Sequence, residues 1–369
     1  MRVLHFFKTY WPDTFGGVER TIYSLAKGGN DHNIQSDVLS LSKDPIINTV
    51  EFEGHVAYKV KQNFELASTG FSKEAFSKFR ELSARADIIH YHFPWPFMDL
   101  VHLLTRPQKP TILTYHSDIV KQKALLHLYR PLMNRFLSSV EQIVATSPNY
   151  LQSSEVLQKF KEKTTVIPLG LDPDTTLAIS RVETQRWSTV FPRPFFLFVG
   201  VLRYYKGIHV LLEAANRVTA DVVIVGEGPM ESILKARARD LKLTNVHFVG
   251  SVSERDKTAL LQLCLALVFP SHLRSEAFGL SLVEAQMAGK PMISCEMGTG
   301  TSYVNLDGVT GLVVPPGDVA GLAAAMNDLL RNPHKVELYG AAAFDRYRHN
   351  FTARKMVNDY VTLYRRVLK

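Results

Sequence analysis

Residues 275–291 of this sequence, SEAFGLSLVEAQMAGKP, contain two glutamates, Glu276 and Glu284. Seven residues separate Glu276 from Glu284, and an apolar run with helical spacing begins between them. This spacing predicts that Glu276 lies in a loop and that Glu284 lies about one and a half turns inside the following helix. Carboxylates placed in this way can accept hydrogen bonds from sugar hydroxyls. Acidic residues are also common at ordinary helix starts, where they interact favourably with the helix dipole.

The junction between this loop and the helix consists of Phe278, Gly279 and Leu280. A glycine at the junction lets a ligand approach the backbone closely. The first turn of a helix has unpaired N–H groups and a positive dipole end, which together suit a phosphate. The segment therefore predicts either a site for a sugar attached to phosphate or a helix start without a ligand.

A second candidate is the segment GVLRYYKG, residues 200–207, where an apolar run ends in glycine. Arg203 and Lys206 lie at the start of the next helical pattern, and cations there oppose the helix dipole. An anionic ligand would explain their position. The planar fork of arginine and the point charge of lysine suit a diphosphate and would stabilise it as it leaves. The alternative is that both are solvated surface charges.

Two candidates come from the first half of the chain. Gly16 and Gly17 are paired glycines at a strand–helix junction, where a ligand can approach the backbone, although a plain turn explains them as well. They do not form the G-x-G-x-x-G dinucleotide pattern. His116 ends a predicted strand, TYHSD. Histidine titrates near neutrality and can donate or accept a proton, so His116 is either a catalytic group or a structural histidine.

Several weaker patterns favour structure over chemistry. His90 and His92 share one face of a predicted strand, but no third metal ligand is evident, so we interpret them as histidines of the core or of a cleft wall. Asp172–Asp174 resembles a metal-binding DxD motif but lies in a predicted inter-domain loop. The segment 226–229 is predicted to be a strand-to-helix turn, with lining of the cleft as the alternative. The segment 298–302 is a loop of small residues that either approaches a phosphate or simply turns.

Buried apolar runs and helical patterns alternate along the chain, first from residue 2 to residue 170 and again from residue 195. This alternation predicts an α/β protein with two tandem doubly wound domains, each a mostly parallel sheet covered on both faces. We place the domains at residues 1–180 and 181–350, with a final helix in 351–369. Ligands of such sheets bind beyond the carboxyl ends of the strands, so we expect a cleft where the two domains face each other.

Composition excludes several classes of protein. The chain has 369 residues, long enough for two domains, with 46% hydrophobic and 21% charged residues. Only Cys264 and Cys295 occur, so a disulfide framework or a zinc site is not expected, which fits a reducing compartment. No stretch approaches the ~18 apolar residues of a membrane span. The N-terminus lacks the pattern of a signal peptide.

The net charge of +8 is concentrated in one region. Residues 100–140 contain six basic side chains and one acidic one, Asp118. A predicted helix at 119–140 combines these charges with an apolar stripe. Such a helix can lie on an anionic membrane, or it can pack on the sheet with its charges in solvent. Nucleic acid is not expected as a partner, because no aromatic platform or recognition-helix pattern accompanies the charge.

These motifs together resemble family 4 of the retaining glycosyltransferases, which have the GT-B fold. The matching segments occur in order over nearly the whole chain. They are the paired glycines 16–17, the strand end at His116, GVLRYYKG, GEGP, SEAFGLSLVEAQMAGKP and DGVTGLVVPPGD. The resemblance implies an N-terminal acceptor-binding domain, a C-terminal domain that binds a nucleotide-sugar donor, and a final helix that packs back on the N-terminal domain.

The resemblance also implies roles for the candidate residues. In the second domain, Arg203 and Lys206 hold the nucleotide diphosphate, Glu276 binds hydroxyls of the donor sugar, and Glu284 binds the ribose. The backbone from Phe278 through Gly279 to Leu280 contacts the phosphates. In the first domain, His116 lies near the anomeric carbon, and Gly16 and Gly17 lie near the phosphates and the acceptor. The family needs no metal and no cofactor, and front-face attack assisted by the leaving phosphate is its usual proposed mechanism.

A narrower resemblance is to bacterial O-antigen and lipopolysaccharide mannosyltransferases that use GDP-mannose. It rests on the blocks YHFPWPFMD, TYHSDIVKQK and SCEMGTGTSYVN. It implies transfer of mannose or D-rhamnose to a lipid-linked saccharide by a protein of the bacterial cytoplasm, peripheral on the inner membrane. Three alternatives remain. The enzyme could use a UDP-sugar donor, it could be a nucleotide-sugar epimerase or a sugar phosphorylase on the same fold, or the protein could bind a sugar or nucleotide without catalysis.

Overall fold

The structure is a computed structural model that describes residues 1–45, 48–67, 69–119, 123–171 and 181–369, with only the backbone at 123–126. The chain divides into two compact units. The first consists of Met1–Gly170 together with Ala353–Lys369, and the second of Leu171–Thr352. The boundary that we place after residue 180 and the motif Asp172–Asp174 fall on residues 172–180, outside the described part of the chain.

The first unit is built on an eight-stranded sheet in the order β10-β9-β8-β7-β1-β2-β4-β3. All neighbouring strands are parallel except β3, which pairs antiparallel with β4 at one edge. A separate hairpin is formed by β5 and β6. The strands are β1 (Arg2–Phe6), β2 (Gln35–Ser42), β3 (Thr49–Phe52), β4 (His55–Lys61), β5 (Phe64–Leu66), β6 (Thr69–Phe71), β7 (Ile88–Phe93), β8 (Thr111–Tyr115), β9 (Gln142–Ala145) and β10 (Thr164–Val166).

Among the described residues, helices follow β1, β6, β7, β8 and β9. They are α1 (Gly17–Gly29), α2 (Glu74–Arg85), α3 (Pro96–Thr105), α4 (Lys123–Ser139), α5 (Pro148–Ser153) and α6 (Glu155–Lys159). Strands β7 and β8 are buried at every position, as expected for central strands covered on both faces.

The second unit has a six-stranded parallel sheet in the order β13-β12-β11-β14-β15-β16. This is the order 3-2-1-4-5-6 of a doubly wound nucleotide-binding sheet. Its strands are β11 (Phe195–Val199), β12 (Asp221–Val225), β13 (Val246–Gly250), β14 (Ala266–Phe269), β15 (Met292–Cys295) and β16 (Gly311–Val314). Its helices are α7 (Arg181–Val190), α8 (Ile208–Ala215), α9 (Glu231–Asp240), α10 (Glu254–Leu263), α11 (Leu280–Met287), α12 (Gly300–Val304), α13 (Val319–Arg331) and α14 (Pro333–Asn350).

The last helix, α15 (Ala353–Val367), belongs to the first unit and packs against α1. Its buried side chains recur at helical spacing: Met356, Val357, Tyr360, Val361 and Tyr364. This stripe places two tyrosine hydroxyls on the sheet face that carries His90. Among the described residues, no helix is both long and apolar enough to cross a membrane.

The mostly parallel sheet of the first unit and the parallel sheet of the second confirm the predicted fold class. Cys264 and Cys295 are buried free thiols. The sequence reading missed α14, because Pro333–Asn350 is largely polar and its few buried residues do not form a clear apolar stripe. It also missed the start of a helix in the segment 298–302, where α12 begins at Gly300 after the N-cap Thr299.

Candidate active site

The strand order of the second unit reverses between β11 and β14. Ligands of doubly wound sheets bind beyond the carboxyl ends of the strands at such a reversal. The segment 200–207 follows β11, and the segment 270–279 follows β14. Each contains candidate residues predicted from the sequence. The topology therefore brings the proposed cations and the proposed sugar-binding carboxylate to one place in the sheet.

Lys206 and Glu276 are in direct contact there. The Nζ atom of Lys206 lies 2.5 Å from Oε2 of Glu276, and their side chains are 11% and 12% exposed. The same carboxylate oxygen accepts a hydrogen bond from Oγ of Ser271 at 3.2 Å. The ammonium also lies over the ring of Phe269, 4.8 Å from its centroid. Two side chains seventy positions apart in the sequence thus form one nearly buried ion pair.

Burial alone would lower the pKa of Lys206, because it disfavours the charged amine. The Glu276 carboxylate more than offsets this effect, so the pKa of Lys206 is raised above its usual value. Glu276 thus favours the charged form of Lys206 in spite of its burial.

A backbone contact holds the two loops together. Gly207 has a φ of +70°, and a Cβ atom there would lie 1.9 Å from the carbonyl oxygen of Pro270. The N–H of His272 donates to the carbonyl oxygen of Tyr205 at 3.0 Å. Any side chain at residue 207 would force these loops apart, and with them Lys206 and Glu276.

Arg203 is exposed and immediately precedes the short turn Tyr204–Lys206. Its guanidinium is close enough to Lys206 to oppose the charge of that amine. Within the described residues it forms no ion pair, whereas Lys206 is already paired. Arg203 thus offers an uncommitted planar cation at the edge of the same site. The neighbouring turn 226–229 supports this loop, because the N–H of Leu202 donates to the carbonyl oxygen of Glu227 at 2.9 Å.

Helix α11 begins beside this pair. Its N-cap is Gly279, which has a φ of +88°, a conformation that favours glycine. Near the start of the helix, Oγ of Ser281 donates to the carbonyl oxygen of Val199, at the end of β11, at 3.1 Å. Phe278 is buried, and Leu280 is the first residue of the helix. The N-terminal turn of α11 is therefore fixed to the strand that leads into the Arg203–Lys206 loop.

Glu284 has a different partner from Glu276. Its Oε1 atom lies 2.6 Å from Nζ of Lys257 on α10, with 7% and 10% of the two side chains exposed. Lys257 also pairs with Glu254 at 2.7 Å. The structure therefore brings Glu276 together with Lys206, but it pairs Glu284 with a lysine that the sequence reading did not select.

In the first unit, Gly16 is the N-cap of α1 and Gly17 is the first residue of that helix. The loop before them is shaped by Glu19, which is buried and accepts hydrogen bonds from Thr9 and Thr14 at 2.8 and 2.7 Å. A Cβ atom on Gly16 would lie 3.0 Å from Oε2 of the same glutamate. Glu19 thus fixes the loop that precedes Gly16 through its contacts with Thr9 and Thr14.

His116 follows β8 and is buried. Its Nε2 atom lies 3.0 Å from Nδ1 of His92, and Nε2 of His92 lies 3.1 Å from Nδ1 of His5. Burial lowers the pKa of His116 to about 3. Desolvation therefore keeps the ring neutral at physiological pH, so it acts through hydrogen bonds rather than charge.

His5, His90 and His92 form a group of three whose ring nitrogens lie within 4.8 Å of one another. His5 is the third ring that the sequence reading did not find. Both nitrogens of His90 are already engaged, with Tyr364 Oη and Thr114 Oγ1, each at 2.7 Å. Both nitrogens of His92 are engaged with other histidines. A metal would have to displace these bonds, so the cluster fits hydrogen-bonded core histidines better than metal ligands.

Two family models match the chain: Glycosyltransferase Family 4 over residues 15–175 and Glycosyl transferases group 1 over residues 182–346. A Pseudomonas aeruginosa protein named D-rhamnosyltransferase WbpZ is 54% identical over 353 residues, covering 96% of this chain and 93% of its own. The Escherichia coli O-antigen chain mannosyltransferase C is 49% identical, covering 100% of this chain and 99% of its own. The chain belongs to glycosyltransferase family 4.

The fold of this glycosyltransferase agrees with solved structures. The sucrose-phosphate synthase of Thermosynechococcus elongatus superposes with a TM-score of 0.84 at 20% identity, covering 99% of this chain and 98% of the other. At that identity the similarity shows the fold alone, which is GT-B.

The sequence analysis of this family 4 enzyme does not select three residues that contact candidate residues or their loops: His5, Glu19 and Lys257. Each lies in a predicted strand or helix where only the spacing of apolar residues was considered. Lys257 carried one usable signal, because it lies in a predicted helix just before the apolar residues Ala259, Leu260 and Leu261. A lysine beside such a stripe is buried only if it finds an anionic partner.

Proposed function

We propose that this glycosyltransferase moves mannose from GDP-mannose onto a lipid-linked glycan during O-antigen synthesis, with retention of the anomeric configuration. The observation that carries the proposal is the nearly buried pair of Lys206 and Glu276 at the reversal of the second sheet. A cation that suits a diphosphate and a carboxylate that suits sugar hydroxyls lie side by side there. The two relatives named as O-antigen mannosyltransferase and D-rhamnosyltransferase, at about half identity, support the sugar and the pathway.

In this proposal Lys206 and Arg203 hold the diphosphate of the donor. Lys206 is positioned in advance by Glu276, so little reorganisation is needed when the ligand arrives. Arg203, which is free of ion pairs within the described residues, supplies the second cation. As the glycosidic bond to phosphate breaks, negative charge grows on the leaving diphosphate, and the two cations stabilise it. The N–H groups from Phe278 to Leu280 add hydrogen bonds to the same phosphates.

The remaining roles concern the sugar and the nucleoside. The Oε1 atom of Glu276 accepts hydrogen bonds from hydroxyls of the donor sugar, since Oε2 is engaged by Lys206 and Ser271. Glu284, oriented by Lys257, binds the ribose hydroxyls. His116 donates or accepts one hydrogen bond to the transferred sugar as a neutral ring, and Gly16 and Gly17 contact phosphate and acceptor. The proposed reaction uses no resident metal or cofactor.

D-Rhamnosyl transfer is a second candidate, favoured by the relative of that name at 54% identity. D-Rhamnose is the 6-deoxy form of D-mannose, so the two donors differ only at one hydroxyl. Comparing kcat/KM for GDP-mannose and GDP-D-rhamnose decides between them. A buried polar group that binds the 6-hydroxyl would reject the deoxy sugar strongly, whereas an apolar pocket would discriminate weakly.

Thermal-shift measurements with GDP, UDP, ADP and CMP test the donor base. We expect GDP to raise the melting temperature most, because it is the nucleotide of the proposed donor. The shift is measurable, since a ligand present at a hundred times its Kd stabilises the native state by about 2.7 kcal/mol. GMP is the matched control, since it lacks the β-phosphate that Arg203 and Lys206 would hold, and it should stabilise less than GDP. Stabilisation by UDP and not by GDP would overturn the donor assignment and favour a UDP-sugar.

We also propose that the enzyme is cytoplasmic and binds the anionic inner membrane peripherally, since its proposed acceptor is anchored there. The support lies in α4. Its residues Met133, Phe136 and Leu137 are buried, but Leu128 is 80% exposed and Arg130 and Arg135 are exposed. The basic residue Lys121 lies outside the described part of the chain. An exposed leucine among basic residues suits an interfacial helix.

Co-sedimentation with vesicles tests this contact. We expect stronger binding to vesicles that contain phosphatidylglycerol than to neutral ones, because each basic residue near an anionic surface contributes about 1 kcal/mol. Leu128→Ser should weaken binding, whereas Leu338→Ser, which changes an exposed leucine of the second unit, should not. Equal binding to both vesicle types, or equal effects of the two substitutions, would show that the charges of α4 are simply solvated.

A further inference from the structure

A chain of three imidazoles crosses the central strands of the first sheet. His5 lies on β1, His92 on β7, and His116 directly after β8, and these strands are neighbours in the sheet. Strand register and alternation place their rings on one face. The two links, His5 Nδ1 to His92 Nε2 and His92 Nδ1 to His116 Nε2, measure 3.1 and 3.0 Å.

All three rings are buried, with 1%, 0% and 8% of their surfaces exposed. Burial lowers the pKa of each ring well below neutrality, to about 3 for His5 and His116. A neutral imidazole carries one N–H and one lone pair. His92 uses both nitrogens within the chain, so it must donate to one neighbour and accept from the other.

This constraint links the three tautomers. If His116 donates from Nε2, then His92 donates from Nε2 to His5, and the proton of His5 is also on Nε2. If instead His5 donates from Nδ1, the protons of His92 and His116 are both on Nδ1. Any mixed arrangement leaves two protons or two lone pairs facing each other in a buried site, which costs the affected groups a hydrogen bond.

We propose that His92, backed by His5, is a positioning residue that orients the His116 ring and couples its tautomer to those of His92 and His5. The proposal rests on the role given to His116 under the proposed function. The Nδ1 atom of His116 has no hydrogen-bond partner among the described residues and is the atom left to meet the substrate. In one arrangement of the chain this atom is a donor and in the other an acceptor, so His116 can change its role only if the protons on all three rings move together.

The neighbouring residue His90 provides a control that distinguishes the positioning of His116 from general packing of this sheet face. It lies on the same face, with its ring centroid 4.4 Å from that of His92, but its nitrogens bond Tyr364 and Thr114 instead. Tyr364→Phe removes one hydrogen bond from this face without touching the link between His92 and His116. It is therefore a matched control for a substitution in the chain.

Nitrogen-15 NMR of histidine-labelled full-length protein tests the linkage directly, because ring nitrogens with and without a proton differ in chemical shift. We expect His5, His92 and His116 to carry their protons on the same type of nitrogen, with assignments made by comparison with the His92→Phe and His5→Phe spectra. Opposite tautomers at His92 and His116 would overturn the proposal. This measurement needs no substrate, so it stands or falls independently of the transferase activity.

Kinetics of His92→Phe then tests the consequence. We expect kcat to fall roughly tenfold or more while KM for the donor changes less than about twofold, since His116 loses the hydrogen bond that orients its ring but the donor cations are untouched. Tyr364→Phe should keep kcat at the wild-type level. Unchanged kcat in His92→Phe, or equal losses in both variants, would overturn the proposal. Full activity in His116→Ala would instead refute the role of His116 in the proposed function.

Discussion

Lys206→Ala is expected to lower kcat at least a hundredfold, which corresponds to about 2.7 kcal/mol of lost transition-state stabilisation. The reason is electrostatic: one charge pair at ~4 Å, in surroundings of effective dielectric ~20, is worth about 4 kcal/mol before desolvation. Lys206 meets the leaving diphosphate in the proposed reaction and lies at a nearly buried position, where solvent screens it little. The measurement is steady-state transfer with saturating donor and acceptor.

The same substitution leaves the Glu276 carboxylate without its cation. An unpaired buried charge is destabilising, so the melting temperature of Lys206→Ala must be measured beside its activity. Ser271→Ala is the matched control, because it removes a hydrogen bond from the same carboxylate oxygen and keeps the cation. A folded Lys206→Ala protein with full activity would refute the donor site.

Glu276→Ala is expected to cost at least a hundredfold in kcat as well, because it removes both the carboxylate that we propose binds the donor sugar and the partner of Lys206. Glu276→Gln should lose less, since it keeps the side-chain volume and a carbonyl acceptor but not the charge. Glu213→Gln, which removes an exposed ion pair with Arg237 in the same unit, should leave kcat unchanged. Wild-type turnover in both Glu276 variants would contradict the assignment.

Glu276→Gln also predicts a change with pH. In the wild-type protein Glu276 keeps the pKa of Lys206 above its usual value against the effect of burial. Without the carboxylate, the largest opposition to burial is lost, although Tyr205 still acts against it, and that pKa falls. Lys206 then loses its proton at a lower pH, so the alkaline fall of kcat/KM should begin at a lower pH in the variant than in wild type. Coincident alkaline limbs would show that Lys206 is not the titrating group.

The sequence was sufficient for the alternation of strands and helices, because buried parallel strands are nearly continuous apolar runs and their helices have a separate period. It was also sufficient to select the segments around Arg203 and Glu276. Their contact could not be read, since Lys206 and Glu276 meet only through a strand order that periodicity does not specify. The same holds for Lys257, whose partner Glu284 is on another helix.

Burial was the second quantity that the sequence could not supply. The sequence does not show that His116 is buried, because α15 and the neighbouring strands, which enclose its face of the sheet, are distant in the chain. His5 was read only as part of the strand RVLHFF, and its place in a histidine chain depends on strand pairing. Polar α14 was missed because it buries few side chains. The burial of His116 and the place of His5 both depend on tertiary contacts between residues far apart in the chain.

The most direct test of the central claim is a transfer assay with the wild-type protein, GDP-mannose and a lipid-linked saccharide, with GDP release and product formation followed together. The proposed function predicts one glycosidic bond formed for each GDP released, with the mannose in the same anomeric configuration as in the donor, as read from the product by NMR. Release of GDP without a glycoside, or a product of inverted configuration, would contradict it.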